Sequence, residues 1–161
     1  MTTIAYIGFG SNLGDSMAIL ASTRNEINAA QGFRLKRTSP LYRTNPVDVP
    51  DSQDDFINAV FEIETTRDAE SVLLELKDIE NRHGRSRGEI KNLARTLDLD
   101  LLLFGDKRMK SKTLILPHPR IFQRAFVLFP LFDLSPDLEI PGQGKVQDLL
   151  NTVRDQQVEK L

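Results

Sequence analysis

The chain has 161 residues, 40% hydrophobic and 27% charged, a composition and length that predict one soluble globular domain over residues 1–161. A net charge of −2 and a pI near 5.7 exclude general nucleic-acid affinity, which needs a basic surface or a pI above ~9. With no cysteine and only His83 and His118, disulfides, zinc ribbons and thiol catalysis are excluded, and a histidine-rich metal site is not expected.

Residues 4–9 alternate in β-rich fashion and break at Gly8-Phe9-Gly10-Ser11-Asn12, read as a tight turn that needs flexible backbone. That run lacks a Walker lysine and the spacing of a dinucleotide fingerprint. Asp15 or Ser16 caps a predicted helix over 16–31, with Ile19, Leu20, Thr23, Ile27 and Ala30 as its buried stripe and Gly32 as its stop. Residues 33–42 read as a second strand, followed by a Pro/Asp-rich loop long enough to be functional. The next strand, 56–64, alternates cleanly. Ile57, Ala59, Phe61 and Ile63 form one face, and Phe56, Asn58, Val60 and Glu62 the other. Asp68 caps a helix over 69–83, whose Val72, Leu73, Leu76, Ile79 and His83 fall near one side; His83 at its end reads as a dipole partner. Loop 85–95 leads into a strand running to Phe104. A short strand near 113–116, the break Pro117-His118-Pro119, an apolar segment at 125–134 and an amphipathic helix over 145–158 complete the chain. No targeting signal and no ~18-residue apolar run is seen, so a cytoplasmic location with no membrane partner is expected.

The order strand–helix–strand–strand–helix–strand predicts an α+β fold, a ferredoxin-like βαββαβ sheet with helices on one face and an added C-terminal strand and helix segment. The stretch Arg95-Thr96-Leu97-Asp98-Leu99-Asp100 carries the chemistry. Side chains alternate along a strand, so Asp98 and Asp100 point one way, ~7 Å apart, while Leu97, Leu99, Leu101 and Leu103 point the other. Burying two such anions is costly without cations. Oxygen-only ligands favour Mg²⁺ completed by substrate phosphates, although a solvated acidic strand face is the plainer alternative. The preceding loop sets Arg85, Arg87, Lys91 and Arg95 against the single Glu89. Guanidinium forks match phosphate oxygens, so the loop and the carboxylates together favour a nucleotide-phosphate site on the open face of the sheet. Asn58 shares that face with Phe56, an amide beside an aromatic, which suits a flat heterocycle; burial in the core is the default for Phe56 and Phe126.

The chain resembles the 6-hydroxymethyl-7,8-dihydropterin pyrophosphokinase family of folate biosynthesis over nearly its whole length. The resemblance is carried by Gly10-Ser11-Asn12-Leu13-Gly14, Leu41-Tyr42-Arg43-Thr44-x-Pro46 and Phe56-Ile57-Asn58-Ala59-Val60. It continues through Glu80, Gly84-Arg85-x-Arg87, Arg95 to Asp100, and Leu116-Pro117-His118-Pro119 to Arg124-x-Phe126. The resemblance implies transfer of pyrophosphate from the co-substrate ATP to the pterin hydroxymethyl, releasing AMP. It implies Asp98 and Asp100 as ligands of two Mg²⁺ ions, and Arg85 and Arg95 as catalytic loop arginines that meet the phosphates. Phe56 and Phe126 would sandwich the pterin, with Asn58 and the Thr44, Pro46 and Val47 stretch at its edge. Lys77, Glu80, Arg87, Leu101, His118 and Arg124 would hold ATP. A monomer acting on these two small molecules is the expected form.

The chain departs from the family pattern in three places. The run Lys91-Asn92-Leu93-Ala94 replaces a usual aromatic and Gly-Pro pair, Phe56 replaces a common tyrosine, and Lys77 stands where glutamine is frequent. The rival readings are a non-catalytic pterin- or nucleotide-binding regulator and a two-metal Asp-x-Asp nucleotidyl enzyme.

Overall fold

The first strand, β1 (Thr3–Ser11), is the spine of the sheet in the computed structural model, which describes residues 1–12, 15–44, 56–83 and 97–161. Asp15 then starts α1 (Ser16–Ala29) by accepting the Ala18 amide at 3.1 Å, as its N-cap position predicts. Leu20, Thr23 and Ile27 are the buried stripe of that helix. Gly32, at φ +80°, makes the left-handed turn that returns the chain to the sheet.

The predicted strand over 33–42 is in fact two, β2 (Phe33–Thr38) and β3 (Tyr42–Thr44). Pro40 has no amide to give a ladder, and Ser39 takes over: its Oγ accepts the Val60 amide and its own amide donates to the Val60 carbonyl, both at 2.9 Å. Both β2 and β3 pair antiparallel with β4 (Phe56–Thr65). Asp68 caps α2 (Ala69–Arg82) through the Ser71 amide at 2.8 Å. His83 does more than face the helix dipole. Its Nε2 lies 2.6 Å from Glu26 and Arg82 Nε lies 2.7 Å from the same carboxylate, so the two helix ends are ion-paired.

The strand β5 (Asp98–Phe104) pairs antiparallel with β1. After it come the hairpin β6 (Met109–Lys110) and β7 (Ile115–Leu116), a short turn of 3-10 helix at Ile121–Gln123, and α3 (Ala125–Leu134). A second hairpin of β8 (Glu139–Ile140) and β9 (Gly144–Lys145) leads into α4 (Val146–Leu150), and the chain closes with β10 (Glu159–Lys160) on β3. The helix expected over 145–158 is therefore only one and a half turns long. Turns follow it and swing the tail back to the sheet edge. The sheet order is β10-β3-β4-β1-β5, with β2 also on β4. No helix among the described residues is long and apolar enough to cross a membrane.

Helices cover both faces, which corrects the expected one-sided arrangement. α1 and α2 pack Leu20, Ile27, Val72, Leu76 and Ile79 against Ile7, Phe61, Leu99 and Leu101. On the opposite face α3 and α4 pack Ala125, Leu128, Leu131, Val146 and Leu150 against Tyr6, Val60, Leu102 and Leu103. A helix apolar all round, as α3 is, needs such burial. The uniform alternation predicted for β5 also fails. The register steps from Ile7–Leu101 to Tyr6–Leu103, so Leu102 is the extra residue of a bulge, and both Leu102 and Leu103 face α3.

Candidate active site

The pairing of β4, β1 and β5 lays residues in rows across the sheet. Gly10 stands between Asn58 and Asp98, and in the next row Gly8 stands between Val60 and Asp100. The two glycines are thus strand residues, not the tight turn read from the sequence. Their missing side chains leave a floor between the amide on one side and the carboxylates on the other. A β-carbon on Gly10 would sit 3.4 Å from Asn58 Oδ1, and one on Gly8 would sit 3.4 Å from the Leu102 side chain.

Above this floor is a cavity of about 630 Å³. Its walls include Thr44, Phe56, Asn58, Asp98, Asp100, Arg124 and Phe126, so residues predicted from separate segments do meet. Asn58 is buried and donates from Nδ2 to Thr44 Oγ1 at 3.0 Å, which fixes the amide against β3. Tyr42 in β3 stacks on Phe129 of α3, with ring centroids 6.0 Å apart, and its hydroxyl donates to Asp133. Burial, then that carboxylate, push the Tyr42 phenol far above its ordinary pKa, so it stays a donor. The Arg124 guanidinium lies 5.5 Å from the Phe126 ring centre. Burial lowers the pKa of Arg124, opposed by the pull of Asp100 and Asp98.

Strand β5 ends the sheet order, so its outward backbone groups need other partners. Two are supplied. Glu80 of α2, buried, accepts the Leu99 amide at 2.6 Å, between the two aspartates. The His118 amide donates to the Leu102 carbonyl at 2.9 Å, which sets the Pro-His-Pro segment along β5. His118 Nδ1 accepts the Arg120 amide at 3.2 Å. Burial lowers the His118 pKa, and Arg124 and Arg120 lower it further against the opposing pull of Asp100, which favours a neutral ring.

A second cavity, of about 550 Å³, opens on the other side of Asp100. Lys77, Glu80, Leu101 and His118 line it, four of the six residues expected to hold ATP. Arg124 lies in the wall of the first cavity instead. The remaining predicted residues Pro46, Val47, Arg85, Arg87 and Arg95 lie outside the described residues. Sequence reading placed a strand near 113–116, which β7 bears out, but missed its partner β6 and the place of Ser111 to Ile115 along one side of the second cavity. It also missed the tail residues Gln156, Gln157 and Val158 in the first. The even spacing of Gly8 and Gly10 could have placed both in the Asp98 rows; the tail carries no such signal.

Residues 6–136 match the family described as 7,8-dihydro-6-hydroxymethylpterin-pyrophosphokinase, HPPK. The chain is 37% identical over 161 residues to the 2-amino-4-hydroxy-6-hydroxymethyldihydropteridine pyrophosphokinase of Haemophilus influenzae, covering 98% of this chain and 97% of that protein. It is 37% identical over 139 residues to the Bacillus subtilis protein of the same name, covering 86% and 82%. A crystal structure of HPPK-DHPS in complex with substrates superposes with a TM-score of 0.75 at 13% identity, over 95% of this chain and 43% of that one. Plasmodium falciparum HPPK-DHPS A437G gives 0.72 at 16% identity, over 94% and 45%, so this chain spans less than half the length of those solved chains and shares the fold of that part. The chain belongs to the HPPK family, ATP-dependent enzymes that transfer pyrophosphate in folate biosynthesis.

Proposed function

We propose that this chain transfers pyrophosphate from ATP to 6-hydroxymethyl-7,8-dihydropterin where its two cavities meet, with the pterin in the first and the nucleotide in the second. The observation that carries this reading is Asp100, which lines both cavities at once. Phe56 and Phe126 offer ring faces, and Asn58 with Thr44 offers edge hydrogen bonds, as a flat heterocycle requires. Pro46 and Val47 belong to the same edge by resemblance. Lys77, Leu101 and His118 hold the nucleotide, and Glu80 contributes by fixing β5 beside it.

Asp98 and Asp100 are half-buried oxygen donors on one strand face, a donor set that fits Mg²⁺. Among the described residues no cluster of three or more His, Cys, Asp or Glu could hold a metal, so phosphate oxygens and water would complete the sphere of the two expected ions. Bound Mg²⁺ supplies charge neutralisation on the ATP phosphates. The protein's own part is positioning and electrostatics, since phosphoryl-type transfer asks for little covalent work. The loop cations Arg85 and Arg95 stabilise the transferred group and AMP, Arg87 is a nucleotide ligand by resemblance, and Arg124 adds positive charge from the pterin side. His118, its Nδ1 already accepting the Arg120 amide and its ring lining the second cavity, is a nucleotide ligand rather than a base.

The frame for these groups is a ferredoxin-like split βαβ, a reading supported by β1 lying between β4 and β5. A single cytoplasmic domain acting as a monomer is the companion proposal. AMP release from ATP that depends on added dihydropterin tests the function. Pyrophosphate released in place of AMP, independently of the pterin, would favour a nucleotidyl enzyme, and no release of either with both substrates present a binding regulator.

A further inference from the structure

Helix α3, which carries Phe126, lacks a local start signal. Arg124 occupies its N-cap and makes no side-chain cap hydrogen bond. Ser, Thr, Asp or Asn would satisfy a first-turn amide there, and a cation faces the positive end of the helix dipole. The missing cap comes from 31 residues downstream, where Gln156 Oε1 accepts the Ala125 amide at 2.9 Å. The same side chain donates from Nε2 to the Gln123 carbonyl at 2.8 Å. One amide therefore grips the backbone on both sides of Arg124, immediately before Phe126. A side-chain amide carries its donor and its acceptor on separate atoms, so one Gln can make both bonds at once.

The tail that presents Gln156 is itself tied down. The Gln156 amide bonds the Val153 carbonyl at 3.0 Å, and the Leu161 amide bonds the Leu41 carbonyl at 2.9 Å. Lys160 reaches Asp133 of α3 at 3.5 Å. Gln156 also lines the first cavity, although it lies beyond the 6–136 stretch that matches the family.

We propose that Gln156 is a positioning residue for pterin binding, its side-chain amide clasping Gln123 and Ala125 so that Arg124 and Phe126 are held against the first cavity. The inference rests on the reading that this cavity takes the pterin. Dissociation constants for dihydropterin and for ATP with Mg²⁺, measured separately on the full chain, test it in Gln156→Ala, Gln156→Glu and Phe126→Ala. Gln156→Ala should weaken pterin binding about fivefold and leave ATP binding unchanged, the effect of losing modest, partly exposed hydrogen bonds. Gln156→Glu keeps the acceptor for Ala125 but not the donor to Gln123, and should lose less. Gln156→Ala, which loses the α3 cap, should melt a few degrees below wild type, and Gln156→Glu, which keeps the acceptor, nearer to it, so both stay folded at the assay temperature. Equal loss of both ligands in Gln156→Ala overturns the clasp, as does unchanged pterin affinity there when Phe126→Ala loses it. Unchanged pterin affinity in Phe126→Ala overturns the cavity assignment and the clasp with it.

Discussion

Replacing Glu80 by leucine should damage both stability and catalysis, through the strand that carries the aspartates. The Glu80 carboxylate accepts the Leu99 amide at 2.6 Å from a buried position, on the side of β5 turned away from β1. A hydrogen bond to a charged group is worth about 1.5–3 kcal/mol, and a buried donor left unpaired costs about 1–3 kcal/mol. Leucine returns some of this as apolar burial, roughly 1.5 kcal/mol or more. The net loss is about 2–3 kcal/mol, which for a domain of this size lowers Tm by about 4–12 °C. Because Leu99 sits between Asp98 and Asp100, any shift of its backbone moves both carboxylates, and misplacement by about 1 Å can cost about a hundredfold in rate. Glu80→Gln keeps an acceptor without the charge and should lose about 1 kcal/mol, with most activity retained. Thermal melts together with steady-state kinetics on the two variants provide the check. A Glu80→Leu protein that melts and turns over like wild type would refute the strand-clamp argument. Wild-type melting with selectively weakened ATP binding in Glu80→Gln would make Glu80 a direct nucleotide ligand instead.

Asp98→Ala and Asp100→Ala should each abolish measurable turnover while leaving the circular dichroism spectrum native; near-normal activity in either would remove the metal-anchor role. Asn58→Ala should weaken pterin binding by about tenfold to a hundredfold, the cost of a buried hydrogen-bond partner, and spare ATP. Calorimetry showing equal losses for both ligands would place Asn58 outside the pterin edge. Burial alone would raise the Glu26 pKa, but hydrogen bonds from Arg82 and His83 outweigh it and hold it below its ordinary value of 4.5. A carboxylate with a depressed folded pKa stabilises above the unfolded value, and that contribution is lost as pH falls through the folded pKa. Glu26→Gln should therefore cost about 0.2–1 kcal/mol near neutrality and flatten the acid limb, read as urea midpoints at pH 7 and in the acid range. Parallel pH profiles for the two proteins would contradict the assignment.

Local signals carried the elements whose causes are local. Asp68 and, of the candidates Asp15 and Ser16, Asp15 cap their helices through the Ser71 and Ala18 amides, because an N-cap acts within three residues. The faces of β4 follow strict alternation, so Asn58 falls in the first cavity and Phe61 in the helix-facing core. The same alternation put Asp98 and Asp100 on one face together, half-buried beside the cavity. Family resemblance then gathered Phe126 and His118, which periodicity alone left as core or loop residues.

What alternation cannot carry is a change of register. The bulge at Leu102 turns Leu103 toward α3, because pairing to Tyr6 and packing under α3 outweigh the strand's own period. The division of residues 33–42 into β2 and β3 likewise depends on Ser39 pairing with Val60 across the sheet. Glu80 is legible in the chain as a site residue and lines the second cavity, while its bond to Leu99 exists only once α2 lies beside β5. Gln156 looked like nothing at all. The sequence by itself determined the long strand β4, the two capped helices α1 and α2 and which strand face bears the carboxylates, since those follow from capping and periodicity over a few residues. Tertiary structure decided where the glycine floor lies, which cavity Arg124 enters and what caps α3, because each depends on backbone groups brought together from distant parts of the chain.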